Sequence, residues 1–571
     1  MLKLNNILFS RDFQKLRTEL LSKEKLRFPA LVEKVRDELD LKVMLSLSDR
    51  EKIPAEGRLL IVANHPLAFL DLFALYTTVS DIRKDVVAVV DTLQEFIAPG
   101  PSVIVRQSSD APLKTMRAIR KALLEEKAVI VFPAHSRHWG LSQITDGDWH
   151  KSAAKIATKW ATPVLPAFIT AKNRLSHYFW TAVSGLYSDI SLDSEIISQR
   201  HRQIGVAISN PIMPDSIQAV KAGTATKLLR KHVYQIGRGR QGTFRTTKNI
   251  VHPTDKKLIL QDIAAAEVLG ETDDKIRILL VRHAAAPALM REIGRLRELT
   301  FRKVGEGTGR KIDLDDFDPY YLHIVLWDPA ALEVVGAYRL AAGDEVYGRL
   351  GMDGFYTSTL FRFSEEFEKY LPQSLELGRS FVQPDYWNSQ ALDYLWHGIG
   401  AFLAARPQYN YLFGPVSVSA SYTPEARELL VFFYRKWFGS HNAPVRAKHR
   451  FAFHKGAEEK LSQLFKGEDY KQSFKELKQN LKHYGYAVPT LYKQYTELCE
   501  TGGVSFFDFG IDKDFNNSLD GFIFLEIGKI KEAKLERYIY SKRTKEEWSA
   551  ARVAANAVYP AVAETAAMPT A

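Results

Sequence analysis

Five short apolar runs set the frame for this chain: LLIVA at 59–63, VVAVV at 86–90, AVIVF at 128–132, PVLPAFI at 163–169 and IGVAI at 204–208. Between them lie stretches with helical patterning, and that alternation predicts an α/β sheet. A second α/β pattern begins near residue 285. Leu289, Ile293 and Leu296 repeat at i, i+4 and i+7 on an arginine-rich helix. YLHIVLWD and LEVVGAYRLA then read as a hairpin, and SLELGRSFV and YLFGPVSVS as strands flanking a helix. The mixed, basic stretch 216–275 between the two patterns predicts a domain joint. The expected layout is therefore α/β in two domains: a helical segment at 1–50, an α/β domain at 51–245, a mixed α/β domain at 255–545, and a disordered tail at 546–571 rich in Ala, Val and Thr.

The length of 571 residues, with 46% hydrophobic and 25% charged residues, suits a globular protein of several domains. A formal charge of +11 favours acidic partners: nucleic acid, an anionic bilayer surface or an acidic carrier protein. The single cysteine, Cys499, precludes an internal disulfide and fits a reducing cytoplasm. The opening MLKLNNILFSRDFQKLRTEL has no apolar core of a signal peptide. The most apolar long stretch, Leu59 to Tyr76, is interrupted by Asn64, His65, Pro66 and Asp71, which argues against spanning a bilayer. Contact with a membrane is expected from the surface. No CxxC or HExxH pattern occurs, so neither a metal nor a cofactor is expected.

Asn64-His65-Pro66 follows directly on the run LLIVA, and proline favours the first helical position, so His65 is expected at a helix cap at the mouth of the sheet. Asp71 lies six residues on, within reach of the imidazole in a tight turn. A histidine oriented by a carboxylate can take the proton of a hydroxyl as it attacks a thioester. The bland alternative is a capping histidine beside a solvated aspartate. Phe132-Pro133-Ala134-His135-Ser136-Arg137 then follows a second strand and Val164-Leu165-Pro166 a third. This order resembles the glycerolipid and lysophospholipid acyltransferase family over about 55–215. The resemblance implies His65 as base, Asp71 as its orienter, and Arg106 with Phe132, Pro133, His135, Ser136 and Arg137 as acceptor contacts. Two features depart from that pattern. Five residues rather than four separate His65 from Asp71, and the Phe-Pro block reads FPAHSR without its glycine or glutamate. The second departure implies an acceptor other than glycerol phosphate, or a weakened site. Arg137 and His135 could pair with an acceptor carboxylate.

EGTGRKIDLDDFDPYYLH gathers Glu306, Asp313, Asp315, Asp316 and Asp318 within thirteen positions. Such a run could be a solvated loop, a calcium loop or a pocket for a cationic substrate, and it lacks the calcium loop's glycine and terminal glutamate. With Arg339-Leu340 and then Glu376-Leu-Gly-Arg379-Ser-Phe, it resembles the acyl-homoserine-lactone synthases and, more closely, the ornithine N-acyltransferases, both branches of the GNAT-type fold. VPTLYKQYTELC and FGIDKDFNNSLDGFIFL resemble the closing portion of the latter, so the likeness spans about 285–530. It implies Glu376 as the carboxylate that takes the amine's proton or holds the amine. It further implies Arg339 and Arg379 at the substrate carboxylate or organising the acidic residues, and Glu306, Asp313, Asp315 and Asp318 as contacts to a dibasic amino acid. No Arg/Gln-x-x-Gly-x-Gly run is evident, which favours acyl carrier protein over acyl-CoA as donor. Arg291, Arg295, Arg297 and Arg302 on one helix are expected to form its docking face.

The tandem order resembles the bifunctional ornithine-lipid synthases. It implies N-acylation of ornithine, or a similar amino acid, with a 3-hydroxyacyl group in the C-terminal domain. O-acylation of the resulting lyso-lipid in the N-terminal domain would follow, at the inner face of the cytoplasmic membrane. Fusion would hand the intermediate on at high effective concentration. One rival reading leaves only the C-terminal domain active. Another is a basic peripheral membrane-binding protein with inert enzyme folds. Nucleic acid is not an expected partner, since clustered basic-aromatic motifs are missing.

Overall fold

The computed structural model describes residues 25–38, 40–66, 69–90, 97–105, 112–134, 137–139, 144–170, 203–440 and 443–558. It divides into two compact units, Met1–His252 and Pro253–Ala571. Arg106, His135 and Ser136 lie outside the described residues. Among those described, no helix is long and apolar enough to cross a membrane.

The first unit is built on a seven-stranded sheet. In chain order it comprises α1 (Phe28–Glu38), β1 (Lys42–Leu45), β2 (Leu59–Ala63), α2 (Phe69–Ser80), β3 (Val86–Val90), β4 (Val103–Val105), α3 (Pro112–Leu124) and β5 (Ala128–Val131). The hairpin β6 (Arg137–Trp139) and β7 (Ile144–Asp146) stands apart, and α4 (Ser152–Lys159), β8 (Val164–Thr170), β9 (Gln203–Ile208) and α5 (Ala222–Ile236) complete the unit. The strand order is β1-β9-β8-β2-β5-β3-β4, parallel except where β8 meets β9. Strand β2 is buried throughout. Leu59, Ile61 and Ala63 join one apolar cluster while Leu60 and Val62 join another, as the two-residue period of a strand covered on both faces requires. Burying a leucine or isoleucine in this way contributes about 1.5–3 kcal/mol, so β2 is held firmly where its carboxyl end must present Asn64 and His65. In open α/β sheets that end is where ligands gather. Residues 42–45, expected within a helical segment at 1–50, instead form edge strand β1 beside β9.

The second unit carries an eight-stranded sheet. Its elements are β10 (Glu267–Glu271), β11 (Arg277–Arg282), α6 (Pro287–Val304), β12 (Leu322–Asp328), β13 (Glu333–Ala342), β14 (Phe361–Phe363), β15 (Ser374–Val382), α7 (Ala391–Ala405) and β16 (Tyr411–Val418). The chain continues through α8 (Pro424–Phe438), β17 (Val445–Ala447), α9 (Tyr470–His483), α10 (Thr490–Leu498), β18 (Val504–Asp512), β19 (Ser518–Glu526) and α11 (Lys545–Val558). The order β10-β11-β12-β13-β15-β16-β19-β18 is antiparallel but for β15 and β16. That parallel pair is in register only from Ser374↔Tyr411 to Glu376↔Phe413, although both strands run on. Where pairing stops, a Cβ on Gly414 would meet the Leu377 carbonyl at 2.1 Å. The close approach demands glycine there, and beyond it the strands part.

Two expectations are corrected here. The tail expected to be disordered from 546 is helical as far as Val558, with Trp548 only 3% exposed. Alanine, which suggested disorder by composition, is the strongest helix former. Of the four α6 arginines expected at a docking face, Arg291 is exposed, whereas the other three are engaged inside the unit. Arg297 and Arg295 are buried against Asp318 and Glu292, and Arg302 pairs with Glu298.

Candidate active site

In the first unit, Asn64 clamps the end of β2 to β8: its side-chain amide donates to the Ile169 carbonyl at 2.9 Å and accepts from the Ile169 N–H at 2.7 Å. His65 follows, a quarter exposed, with Nδ1 3.1 Å from a carboxylate oxygen of fully buried Asp71 on α2. The extra residue between them is thus accommodated. Phe132 stacks on the imidazole at 4.4 Å between ring centroids. Pro133 is buried beneath, its carbonyl accepting from the His150 N–H at 2.8 Å. Arg137 lies on β6. A further residue emerges here. Asp146 accepts from the His65 backbone N–H at 2.9 Å and from the Trp149 indole at 2.7 Å, while its own N–H donates to the Tyr234 hydroxyl. Burial raises its pKa.

In the second unit the acidic run is not a solvated loop. Asp313 and Asp318 are 3% and 1% exposed and face arginines from three elements. Asp318 lies 2.8 Å from Arg297 of α6 and 3.3 Å from Arg339 of β13, and Arg339 donates to Asp315 at 2.6 Å. Arg379 of β15 lies 3.4 Å from Asp313 and 3.7 Å from Asp315. Burial penalises the Asp318 charge, yet Arg297 and Arg339 together hold its carboxyl well below the usual range. His323, buried against Arg297, is pushed down to about 3 and stays neutral. Arg339, Asp313, Asp315 and Asp318 therefore form an internal network rather than direct substrate contacts. Each member already has opposite charge beside it.

Glu376 is also corrected. Its carboxylate accepts from the Thr357 N–H at 2.6 Å, the Thr357 hydroxyl, the Tyr321 hydroxyl and the Tyr356 N–H at 3.2 Å. Four donors occupy both oxygens and the side chain is 2% exposed, so it clamps the 356–357 turn rather than meeting an amine.

The opening lies where β15 and β16 part. It is lined by Arg379, Tyr338 and Tyr356, by Ser417 of β16, and by two aspartates, Asp512 of β18 and Asp520 of β19. Arg379 adopts a left-handed backbone, φ 48°, at a bulge of β15 against β13, which turns its guanidinium over the Tyr356 ring. It also donates to the Tyr356 hydroxyl at 3.2 Å. The Tyr356 hydroxyl in turn donates to Asp512 at 3.2 Å. Burial, then Asp512 and Glu306, raise the Asp520 carboxyl well above its ordinary value. Burial pushes Glu306 up to about 7, against a hydrogen bond from Ser417 and the charge of Arg379. The arginine can receive the carboxylate of a zwitterion, and a carboxylate near 7 such as Glu306 can take a proton from its ammonium.

The acetyltransferase (GNAT) domain family matches residues 296–397, from α6 into α7. The glycine N(alpha)-acyltransferase of Bacteroides thetaiotaomicron is 33% identical over 51% of this chain and 90% of its own length. The chain belongs to the Nα-acyltransferase family. The glycine N(alpha)-acyltransferase of Phocaeicola vulgatus is 32% identical over 52% of this acyltransferase and 93% of its own length. The L-ornithine N(alpha)-acyltransferase of Rhodobacter capsulatus is 35% identical over 24% and 55%. A solved CoA-dependent acyl-homoserine lactone synthase aligns over 27% of this chain and 76% of its own, with 16% identity and a TM-score of 0.18, too loose to carry an argument.

Of the contacts expected in the second unit of this Nα-acyltransferase, the structure brings Arg379 to the cleft and Glu306 to its Ser417 wall, while Asp313, Asp315, Asp318 and Arg339 do not line it. Sequence reasoning missed Tyr356, Ser417, Asp512 and Asp520. For Asp520 a signal existed, since it interrupts the apolar strand SLDGFIFLE; Asp512 only ends its strand.

Proposed function

We propose that the second unit transfers an acyl group, 3-hydroxylated, from a thioester to the α-amino group of an amino acid, and that the first unit then O-acylates the product. The observation carrying the first step is the gap between β15 and β16, with Arg379 and carboxyls on its walls. Arg379 suits the acceptor carboxylate. The relatives act by name on glycine or ornithine. The surplus of acid over base at the cleft favours ornithine, whose second ammonium would lie against Asp512. Acyl carrier protein is the favoured donor, on the formal charge of +11 rather than on the α6 arginines. The lyso-lipid would hold the protein against the inner face of the cytoplasmic membrane. His65 and Asp71, in contact at 3.1 Å, support the second step.

Expression in a bacterium that makes no amino-acid lipid tests both steps. Extracts should contain a phosphorus-free diacyl lipid, and His65→Ala should accumulate the mono-acyl amide. Only mono-acyl product from the unaltered chain would remove the O-acylation step. No amide at all would remove the whole reading.

A further inference from the structure

Glu306 owes its position to the end of α6. Gly305, at φ 81°, adopts the left-handed turn that closes the helix, its N–H bonding the Arg302 carbonyl at 3.1 Å while the Glu306 N–H bonds that of Phe301 at 2.8 Å. A Cβ on Gly305 would meet the Ser419 hydroxyl at 2.8 Å, so glycine is required. The turn delivers the Glu306 carboxylate to Ser417, whose hydroxyl donates to it at 3.1 Å and which itself lines the cleft. The second observation concerns Asp520. It lines the same cleft, is 4% exposed, and its carboxyl has no hydrogen bond among the described residues. A buried acceptor without a donor is costly unless something arrives to supply one. Asp512 beside it is already engaged by the Tyr356 hydroxyl and by the N–H groups of Asp514 and Phe515.

Resting on the N-acyltransferase reading above, we propose that Glu306 is the base that takes the proton from the acceptor's ammonium, and that Asp520 holds that nitrogen in the cleft. One N–H proton passes to the Glu306 carboxylate, and the freed lone pair attacks the thioester carbon. The C–N bond forms and the C–S bond breaks. The departing sulfur takes a second proton from nitrogen and leaves as a thiol, and Glu306 returns its proton to water. The ionisable groups facing Glu306 are Arg379 on β15, Asp520 on β19, Tyr422 after β16 and Tyr492 on α10. Burial sets Glu306 near neutrality, where a carboxylate is both present and basic enough.

The test uses the purified full chain with an acyl thioester, and glycine or ornithine, over pH 5.5–9. For the unaltered protein, kcat/KM should rise with pH and level off above about 7. Glu306→Gln, which keeps the Ser417 hydrogen bond, should lower kcat roughly 100-fold or more and abolish that inflection, with the thioester KM and the melting temperature little changed. Gly305→Ala, with the carboxylate retained but displaced, should lower kcat less and keep the inflection. Asp520→Asn should raise the amino-acid KM roughly tenfold and keep the inflection. A Glu306→Gln enzyme that retains the inflection overturns the proposal, whether or not its rate falls. Absence of any amide from the unaltered chain with either amino acid would instead remove the N-acyltransferase reading on which the proposal rests.

Discussion

Arg297 has no exposed side-chain surface and is tied to Asp318 at 2.8 Å and to His323 Nδ1 at 3.2 Å. Truncating it to Met would leave Asp318 buried beside less positive charge, so Arg297→Met should destabilise the second unit by about 3–5 kcal/mol in urea unfolding. The double change Arg297→Met with Asp318→Leu should recover part of that loss, and a double mutant no better than the single would deny the pairing. The helical period already contained this. Arg297 lies four residues after Ile293, on the apolar stripe, yet composition alone suggested a charged face. In the first unit, His232 is buried, accepting from the Phe244 N–H at Nδ1 and facing the Ser209 hydroxyl with Nε2. Burial lowers its pKa from 6.5 to about 4. The unfolded chain therefore binds the proton first as pH falls. The stabilising contribution is complete above about 6.5 and is lost progressively towards about 4, by about 3 kcal/mol. Comparing His232→Gln with the unaltered chain at pH 7.5 and 4.5 checks this. The advantage of histidine should shrink at the lower pH, and a constant difference would show that it is not held neutral.

Among the elements, strands were the most legible, because long apolar runs leave few alternatives to burial in a sheet. β1 was not, since KVML is a half-exposed edge whose partner β9 lies far along the chain. The bulge of β15 was invisible as well: Gly378-Arg379-Ser380 carries no local mark of a left-handed arginine, and the conformation is imposed by pairing with β13. The parting of β15 and β16 depends on Gly414 lying against the Leu377 carbonyl. Gly414→Ala should push the strands apart from within, costing about 1–3 kcal/mol in thermal unfolding and lowering acyl transfer beyond any loss of folded protein. Full activity in this variant would mean that the gap tolerates widening and does not set the acceptor's position.

At the scale of the whole molecule, the boundary at His252–Pro253 falls inside the stretch 216–275 where a change of composition predicted a joint. The cleft could not be read in the same way. It gathers Tyr338, Arg379, Ser417, Asp512 and Asp520 from five strands and Tyr356 from a connection, and only the completed sheet brings them together. Each apolar cluster draws its residues from one unit alone. Residues 253–571 expressed by themselves should therefore melt cooperatively and retain N-acylation. Aggregation of that piece, with the full chain soluble, would show that its core is incomplete. The carboxyls of Glu306 and Asp520, both raised above their ordinary values by burial, carry one more consequence. A cationic amino acid entering there must expel protons, so its calorimetric binding heat should vary with the ionisation enthalpy of the buffer. Its affinity should climb with pH until about 7, where release has already occurred. The acceptor site would then sense acidity through occupancy as well as through rate.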